Sequence, residues 1–194
     1  MKEPVNLALR LGLICAVAAL ALTQVDAFTR EPIALAEARA QREAVAAVLP
    51  PFTELVADTL RPGEADQALY FTGMGPDGPV GTALVTASGL GYSGLIELML
   101  GLDAEGNVNG VRVLRHAETP GLGANYAAPE LLDRFYKGRP GGGEWKVTKD
   151  GGPVDAVTGA TVTGRAICDA IDRGWDRWSR DRDRLGAPGK KETP

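Results

Sequence analysis

LIELMLGLDAEGNVNGVRVL, residues 95–114 of the chain, contains two apolar runs separated by a turn. The runs cover residues 95–102 and 108–114, and the DAEGN segment between them has the Asp, Gly and Asn residues that hairpin turns favour. Val111 and Val113 recur with a period of two, which indicates that one face of the strand is buried. Two further β-like runs, residues 68–72 and 80–86, flank a Gly/Pro-rich turn. These runs predict a β-meander.

Helical patterns lie on both sides of these strands. Residues 33–49 are rich in Ala, Glu, Arg and Leu, and they predict a helix that Pro50 and Pro51 end. Residues 128–135 predict a short helix, and residues 144–148 another short strand. The clearest helix is predicted at residues 165–179, where Ile167, Ile171 and Trp178 recur at helical spacing. The sequence therefore predicts an α+β fold with a mainly antiparallel sheet and flanking helices.

The N-terminal segment has the composition of a membrane span. Residues 5–25 carry one charge, Arg10, and as a helix they would reach roughly 31 Å, close to the thickness of a bilayer core. Lys2 and Arg10 precede the apolar run, so the N-terminus is expected in the cytoplasm and the remaining chain outside it. A cleavable signal peptide is the alternative, since residues 25–27, VDA, resemble a cleavage site. The residues alone leave both interpretations open.

Composition limits the function. The 194 residues include 21 Lys and Arg against 25 Asp and Glu, a net charge of −4, which gives no basic footprint for nucleic acid. One His and two Cys are too few ligands for a metal site built by this chain, and no metal is expected. A redox function would therefore need an organic cofactor. The predicted organisation is a membrane anchor at residues 1–30, a juxtamembrane helix at 31–50, a domain at 51–180 and a disordered tail at 181–194.

Two segments carry candidate chemistry. The first precedes the last predicted helix, where small residues and unpaired N–H groups at a helix start suit a phosphate. Its residues are Asp155, Thr158, Gly159, Ala160, Thr161 and Thr163. A structural alternative needs no ligand: Thr163 would cap the helix, and Gly159 would adopt a positive φ. Lys146 and Lys149, just upstream, would either neutralise phosphate or form a solvated strand face.

The second segment follows the strand at residues 108–114. His116 and Glu118 point the same way if that strand continues, and the irregular backbone after Pro120 suits a flat ring. Its candidate site residues are His116, Glu118, Thr119, Leu122 and Gly123. Taken alone, a histidine such as His116 is more often a structural, hydrogen-bonded residue than a catalytic one.

Together the two segments resemble the flavin-binding G subunit of the Rnf electron transport complex and its relatives in the sodium-pumping NADH:quinone reductase. That family's pattern Asp, then Ser/Thr-Gly-Ala-Thr-x-Thr, is matched by residues 155 and 158–163, and Glu-Thr-Pro-Gly-Leu-Gly is matched without change by residues 118–123. The segment GYSG at 91–94 is also similar. Two departures from the pattern are mild: Thr158 stands in place of Ser, and Ala117 where a polar residue is expected.

The resemblance implies FMN joined covalently by a phosphoester to Thr161, attached by a separate flavin transferase. It further implies that Glu118, Thr119, Leu122 and Gly123 line the isoalloxazine, and that Asp155 shapes the loop or assists the transferase. Thr163 lies close enough to stay open as the acceptor.

By the same resemblance, the protein would be a single-pass subunit of an inner-membrane complex, in contact with lipid and other subunits, with its FMN domain periplasmic. It would relay electrons in an assembly that couples electron transfer between ferredoxin and NAD to ion movement, and would not be a complete enzyme alone. Two other interpretations remain: a secreted, signal-cleaved binding module, and a stand-alone flavoprotein redox sensor.

Overall fold

The first element of the computed structural model, which describes residues 2–61 and 67–185, is a helix of 47 residues, α1 (Lys2–Val48). The predicted anchor and juxtamembrane helices are therefore one continuous helix, because Pro32 removes a single backbone hydrogen bond without ending it. The helix ends just before Pro50, as predicted. Asn6–Val48 has the length and apolar composition of a membrane span, the one such helix among the described residues. The chain consists of two compact units, each with most of its residue contacts inside itself. The first is an N-terminal helical unit that ends at Ala40, and the second begins at Gln41.

A five-stranded antiparallel sheet forms the centre of the second unit. Its strands follow the order of the chain: β1 (Glu54–Leu60), β2 (Ala68–Gly75), β3 (Gly78–Gly91), β4 (Gly94–Asp103) and β5 (Val108–Arg115). The four strands of the predicted meander are thereby confirmed, and so is the β4–β5 hairpin. Strand β1 was not predicted, because its sequence ELVADTL mixes two acidic residues with apolar ones and its side chains are exposed or half-buried.

Helices cover the sheet on both faces. Neighbouring residues of a strand point to opposite faces, and in β3 Ala83 contacts the C-terminal end of α1 while Leu84 packs in the main core. The main core lies beneath α3 (Pro129–Tyr136) and α4 (Thr161–Asp181), and a single turn of helix, α2 (Gly123–Tyr126), precedes α3. The predicted α+β class is confirmed.

The last helix begins earlier than predicted. It starts at Thr161 rather than at residue 165, with Ala160 as its N-cap residue. Thr163 therefore lies inside the first turn, and the prediction that it caps the helix is wrong. The positive φ predicted for Gly159 is confirmed at 81°.

The prediction of a strand at residues 144–148 is wrong. Only Val147 pairs, in one isolated bridge with Val154, and Thr148–Asp150 forms a 3₁₀ turn. The chain folds back immediately after that turn, so the backbone of this run hydrogen-bonds with the segment that follows it and not with the sheet.

The disordered tail was predicted to begin at residue 181, which is too early. Asp181 is the buried last residue of α4, and Arg182–Arg184 continues as a 3₁₀ turn. The Asp181 carboxylate accepts hydrogen bonds from the Arg61 guanidinium at 2.7 and 2.8 Å and from the Tyr70 hydroxyl at 2.6 Å. These hydrogen bonds hold the end of the helix in place. Residues 186–194 of the predicted tail lie outside the described residues.

Candidate functional site

A cavity of about 520 Å³ opens where four segments of the second unit meet. These segments are the β3–β4 turn, the loop after β5, the 3₁₀ turn at Thr148–Asp150 and the first turn of α4. Its volume lies within the range of small-molecule sites, roughly 300–1,000 Å³. It is lined by Tyr92, Glu118, Thr119, Leu122, Gly123, Lys149, Gly159, Thr161, Val162 and Thr163.

The two candidate segments of the sequence meet in this cavity. From the first come Gly159, Thr161 and Thr163, and from the second come Glu118, Thr119, Leu122 and Gly123. One hydrogen bond joins the segments directly, since the Thr163 hydroxyl donates to the Glu118 carboxylate at 2.5 Å.

Glu118 also connects the third wall. The backbone N–H of Ser93 in the β3–β4 turn donates to its other carboxylate oxygen at 3.0 Å. Glu118 is only 6% exposed, and each of its oxygens accepts a hydrogen bond, so its burial is compensated. This carboxylate therefore holds together the β3–β4 turn, its own loop and the start of α4.

Glycine makes the close approach of these segments possible. A Cβ atom on Gly123 would overlap the Glu118 carboxylate and the Thr163 hydroxyl. At Gly159 a Cβ atom would lie 2.9 Å from Leu122 Cδ2, and the φ of 81° there is one that side chains rarely adopt. Gly123 and Gly159, one from each motif, are thus explained by the packing of one motif against the other.

The two threonines have different surroundings. Thr163 is only 3% exposed, and its hydroxyl is taken up by Glu118. Thr161 is half-buried at the helix start, and its Oγ1 accepts a hydrogen bond from Lys149 Nζ at 3.0 Å. Thr161 is therefore the threonine with a reachable hydroxyl and a cation beside it.

Four candidate residues do not line the cavity: His116, Asp155, Thr158 and Ala160. Strand β5 ends at Arg115, so the expectation that His116 and Glu118 share a face is wrong: His116 is exposed and Glu118 buried. The Nδ1 atom of His116 accepts the backbone N–H of Glu118 at 3.2 Å. These contacts give His116 a structural role beside the cavity.

The remaining three lie in the segment that leads into α4. The backbone carbonyl of Asp155 accepts the Tyr126 hydroxyl at 3.2 Å, while its side chain is exposed. Thr158 is exposed, and Ala160 is buried in the core at the N-cap of α4.

Sequence reasoning did not assign a site role to Tyr92 or Val162. Tyr92 is 76% exposed at the β3–β4 turn, and only the long-range folding of that hairpin brings it to the cavity. Val162 lies between the two motif threonines, and its place in the wall follows from the early start of α4. The similarity of the GYSG segment was the available signal for Tyr92.

The one described cysteine outside α1 is not part of this site. Cys168 lies in the core, where burial raises the pKa of its thiol to about 12. Such a thiol stays protonated at neutral pH and is a poor nucleophile.

The residues of the cavity fit FMN. Leu122 and Val162 supply apolar contacts for a flat ring, and the first N–H groups of α4 together with Lys149 supply positive charge for a phosphate.

Comparison with known proteins first identifies the class: residues 91–176 match the family model described as the FMN-binding domain. This segment runs from the β3–β4 turn into α4 and contains the residues that line the cavity. The second unit is thus an FMN-binding domain joined to a helix that has the composition of a membrane span.

Relatives that align with most of the chain identify the family. The chain is 35% identical to the G subunit of the ion-translocating oxidoreductase complex of Cereibacter sphaeroides, over 96% of this chain and 90% of that protein. The G subunit of the same complex in Pseudomonas aeruginosa is 35% identical, with 93% and 91% covered, and that of Methanosarcina acetivorans 31%, with 88% and 92% covered. The chain belongs to this family of G subunits, which confirms the resemblance seen in its motifs.

Proposed function

We propose that this protein is an electron-transfer subunit of a membrane complex of the type for which its relatives are named, and that it carries FMN joined by a phosphoester to Thr161. When bound, FMN supplies a group that can be reversibly reduced. The observation that carries the proposal is the placement of Thr161 at the start of α4, with a cation beside its hydroxyl and a flavin-sized cavity in front of it.

The acceptor follows from the difference between the two threonines. A transferase must reach the hydroxyl that it modifies, and the Thr163 hydroxyl is buried and donated to Glu118. Thr161 lines the cavity and is only half-buried, and its hydroxyl contacts the exposed Lys149 ammonium. In the linked state Thr161 Oγ1 is bonded to the phosphorus in place of one phosphate oxygen, so the chain gains the mass of FMN less one water.

Other residues of the cavity hold its shape and offer contacts to the ring. Glu118 keeps three of the walls together through its hydrogen bonds. Leu122 is half exposed at the mouth and offers an apolar surface to the ring. Thr119 and Gly123 line the same wall, and their backbone groups would contact the polar edge of the ring.

A covalent bond suits the compartment that we propose for the domain. The positive flank of α1 and the single span favour a cytoplasmic N-terminus in the inner membrane and a periplasmic domain. When a cofactor binds reversibly, the fraction of sites that it occupies depends on its free concentration. When the cofactor is bound covalently, this fraction does not depend on the free concentration. We further propose that residues 1–30 form the anchor, in contact with lipid and other subunits, and that residues 51–180 form the FMN domain.

The reaction of the whole assembly is proposed from the family resemblance: electron transfer between ferredoxin and NAD coupled to ion translocation. In that assembly this chain would be one carrier between cofactors of other subunits. A separate flavin transferase would be its partner in maturation.

The acceptor is tested by comparing Thr161→Ala with Thr163→Ala in full-length protein produced together with the flavin transferase. After denaturing electrophoresis, the wild type and Thr163→Ala are expected to show in-gel flavin fluorescence, and Thr161→Ala none. Circular dichroism confirms that each variant is folded before its gel is interpreted. A fluorescent Thr161→Ala band together with a dark, folded Thr163→Ala band would show that Thr163 is the acceptor.

A further inference from the structure

We infer that Lys149 is a positioning residue for the flavin phosphate, held beside Thr161 by the Asp150–Arg165 ion pair. This inference rests on the proposed attachment of FMN to Thr161. It assigns to Lys149 the counter-charge of the phosphoester, and to Asp150 and Arg165 the task of fixing where that charge lies.

The geometry closes a ring of four residues. Thr161 and Arg165 are one turn apart on α4 and therefore share a face of the helix. Both Arg165 Nε and Arg165 Nη2 donate to the Asp150 carboxylate at 2.7 Å, a bidentate pair. Lys149, the neighbour of Asp150, donates from Nζ to Thr161 Oγ1 at 3.0 Å. Helix α4 thus contacts the Thr148–Asp150 segment through two side chains, Thr161 and Arg165, which are one helical turn apart.

The backbone of that turn is also held in place. The N–H groups of Asp150 and Gly152 both donate to the Val147 carbonyl, at 2.8 and 3.1 Å, and Thr148 donates to the Val154 carbonyl at 2.7 Å. Gly151 has a φ of 81°, and a Cβ atom on Gly152 would overlap the backbone of Lys146. The turn can therefore present Lys149 in a defined position although the ammonium is exposed.

The pairing of charges leaves Lys149 available for an anion. The Arg165 guanidinium lowers the pKa of the Asp150 carboxyl, which keeps that acid ionised and paired with arginine. Lys146, three residues upstream, is paired with Glu144 at 3.0 Å. A phosphodiester at Thr161 carries one negative charge, and Lys149 together with the N-terminus of α4 would face it.

The test uses the full-length protein in detergent, purified flavin transferase with its flavin substrate, and three lysine variants. Lys149→Met is expected to slow flavin incorporation about two- to fivefold, the effect of losing one exposed ion pair. It is also expected to shift the ³¹P resonance of the attached phosphate. Lys149→Arg keeps the charge and should restore both readings. Lys146→Met is the matched control, because it removes a nearby lysine that does not line the cavity, and it should match the wild type.

The outcomes separate this inference from the proposed function. A wild-type chain that takes up no flavin overturns the proposed function and, with it, this inference. A wild type that is flavinylated while Lys149→Met matches it in rate and in ³¹P spectrum overturns the inference alone. If Lys149→Arg restores neither the rate of flavin incorporation nor the ³¹P resonance, the assignment of the phosphate counter-charge to Lys149 is overturned. Asp150→Asn is expected to shift the resonance in the direction of Lys149→Met, and an unshifted resonance overturns the role of the ion pair.

Discussion

Two threonines that look alike in the sequence have different surroundings because of where α4 begins. Successive residues of a helix are about 100° apart, so side chains two positions apart point roughly 200° away from each other. Once Thr161 and Thr163 are both in the first turn, one faces the Lys149 ammonium and the other faces the Glu118 carboxylate. Sequence patterns predict that the helix starts at residue 165. Both threonines would then lie in the preceding loop, where their hydroxyls would be equally available. The motif could thus be found from the sequence, whereas the different surroundings of its two hydroxyls could not.

Asp181 gives the fold a dependence on acidic pH. Hydrogen bonds from the Arg61 guanidinium lower the pKa of this carboxyl to about 2, against about 3.9 for an unfolded chain. A lowered folded-state pKa stabilises the protein above the unfolded value, and that stability is lost as pH falls through the folded one. The free energy of unfolding is therefore expected to fall by about 2 kcal/mol between about pH 4 and pH 2 through this group.

Asp181→Asn is the variant that isolates this contribution. It should be less stable at neutral pH and should lack this part of the pH dependence, because the amide does not titrate. Urea unfolding of the full-length protein, followed by tryptophan fluorescence across that pH range, measures both effects. Equal pH profiles for the variant and the wild type would show that Asp181 does not carry the acid sensitivity.

At the scale of elements, the C-terminal end of α1 packs into a notch formed by two glycines. Gly101 of β4 and Gly110 of β5 are partners in the register of the sheet, and both face Val48 at the end of the helix. A Cβ atom on Gly101 would overlap the Val48 carbonyl, and one on Gly110 would lie 2.9 Å from Val48 Cα. Asn109 fixes the same helix end, since its side-chain amide donates to the Val48 carbonyl at 2.7 Å.

Gly101→Ala is expected to destabilise the second unit by about 1–3 kcal/mol, because a methyl group overpacks the notch and pushes α1 off the sheet. Gly89→Ala is the control, since Gly89 is an exposed strand residue whose Cβ would meet open space, and a change within about 0.5 kcal/mol is expected there. Thermal unfolding by circular dichroism compares the two. An equal melting temperature for both variants would contradict the close packing of α1.

Local patterns predicted the elements that local sequence specifies. The β4–β5 hairpin follows from its turn residues, and the body of α4 from the spacing of Ile167, Ile171 and Trp178. Strand β1 pairs with the next strand along the chain, but its mixed acidic and apolar residues form no strand pattern, and Tyr92 lines the cavity together with residues distant in sequence. The false strand at residues 144–148 shows the same limit, because strand-like composition needs a free sheet edge to pair with.

For the whole molecule, we propose both a retained N-terminal anchor and a covalent cofactor. The end of α1 belongs to the second unit, since Ala44, Val45, Val48 and Leu49 pack on the sheet. Cleavage after Ala27 would leave these residues in place, so the fold of the domain is compatible with both a retained and a cleaved N-terminus. The state of the N-terminus is therefore a property of the mature chain that must be measured directly.

Intact-mass spectrometry of the mature, denatured polypeptide measures the N-terminus and the cofactor together. The account predicts a chain that retains residues 1–27 and carries the mass of one FMN less one water, with fragmentation placing that mass on Thr161. A chain of unmodified mass, whether complete or cleaved after Ala27, would contradict the covalent electron carrier that we propose.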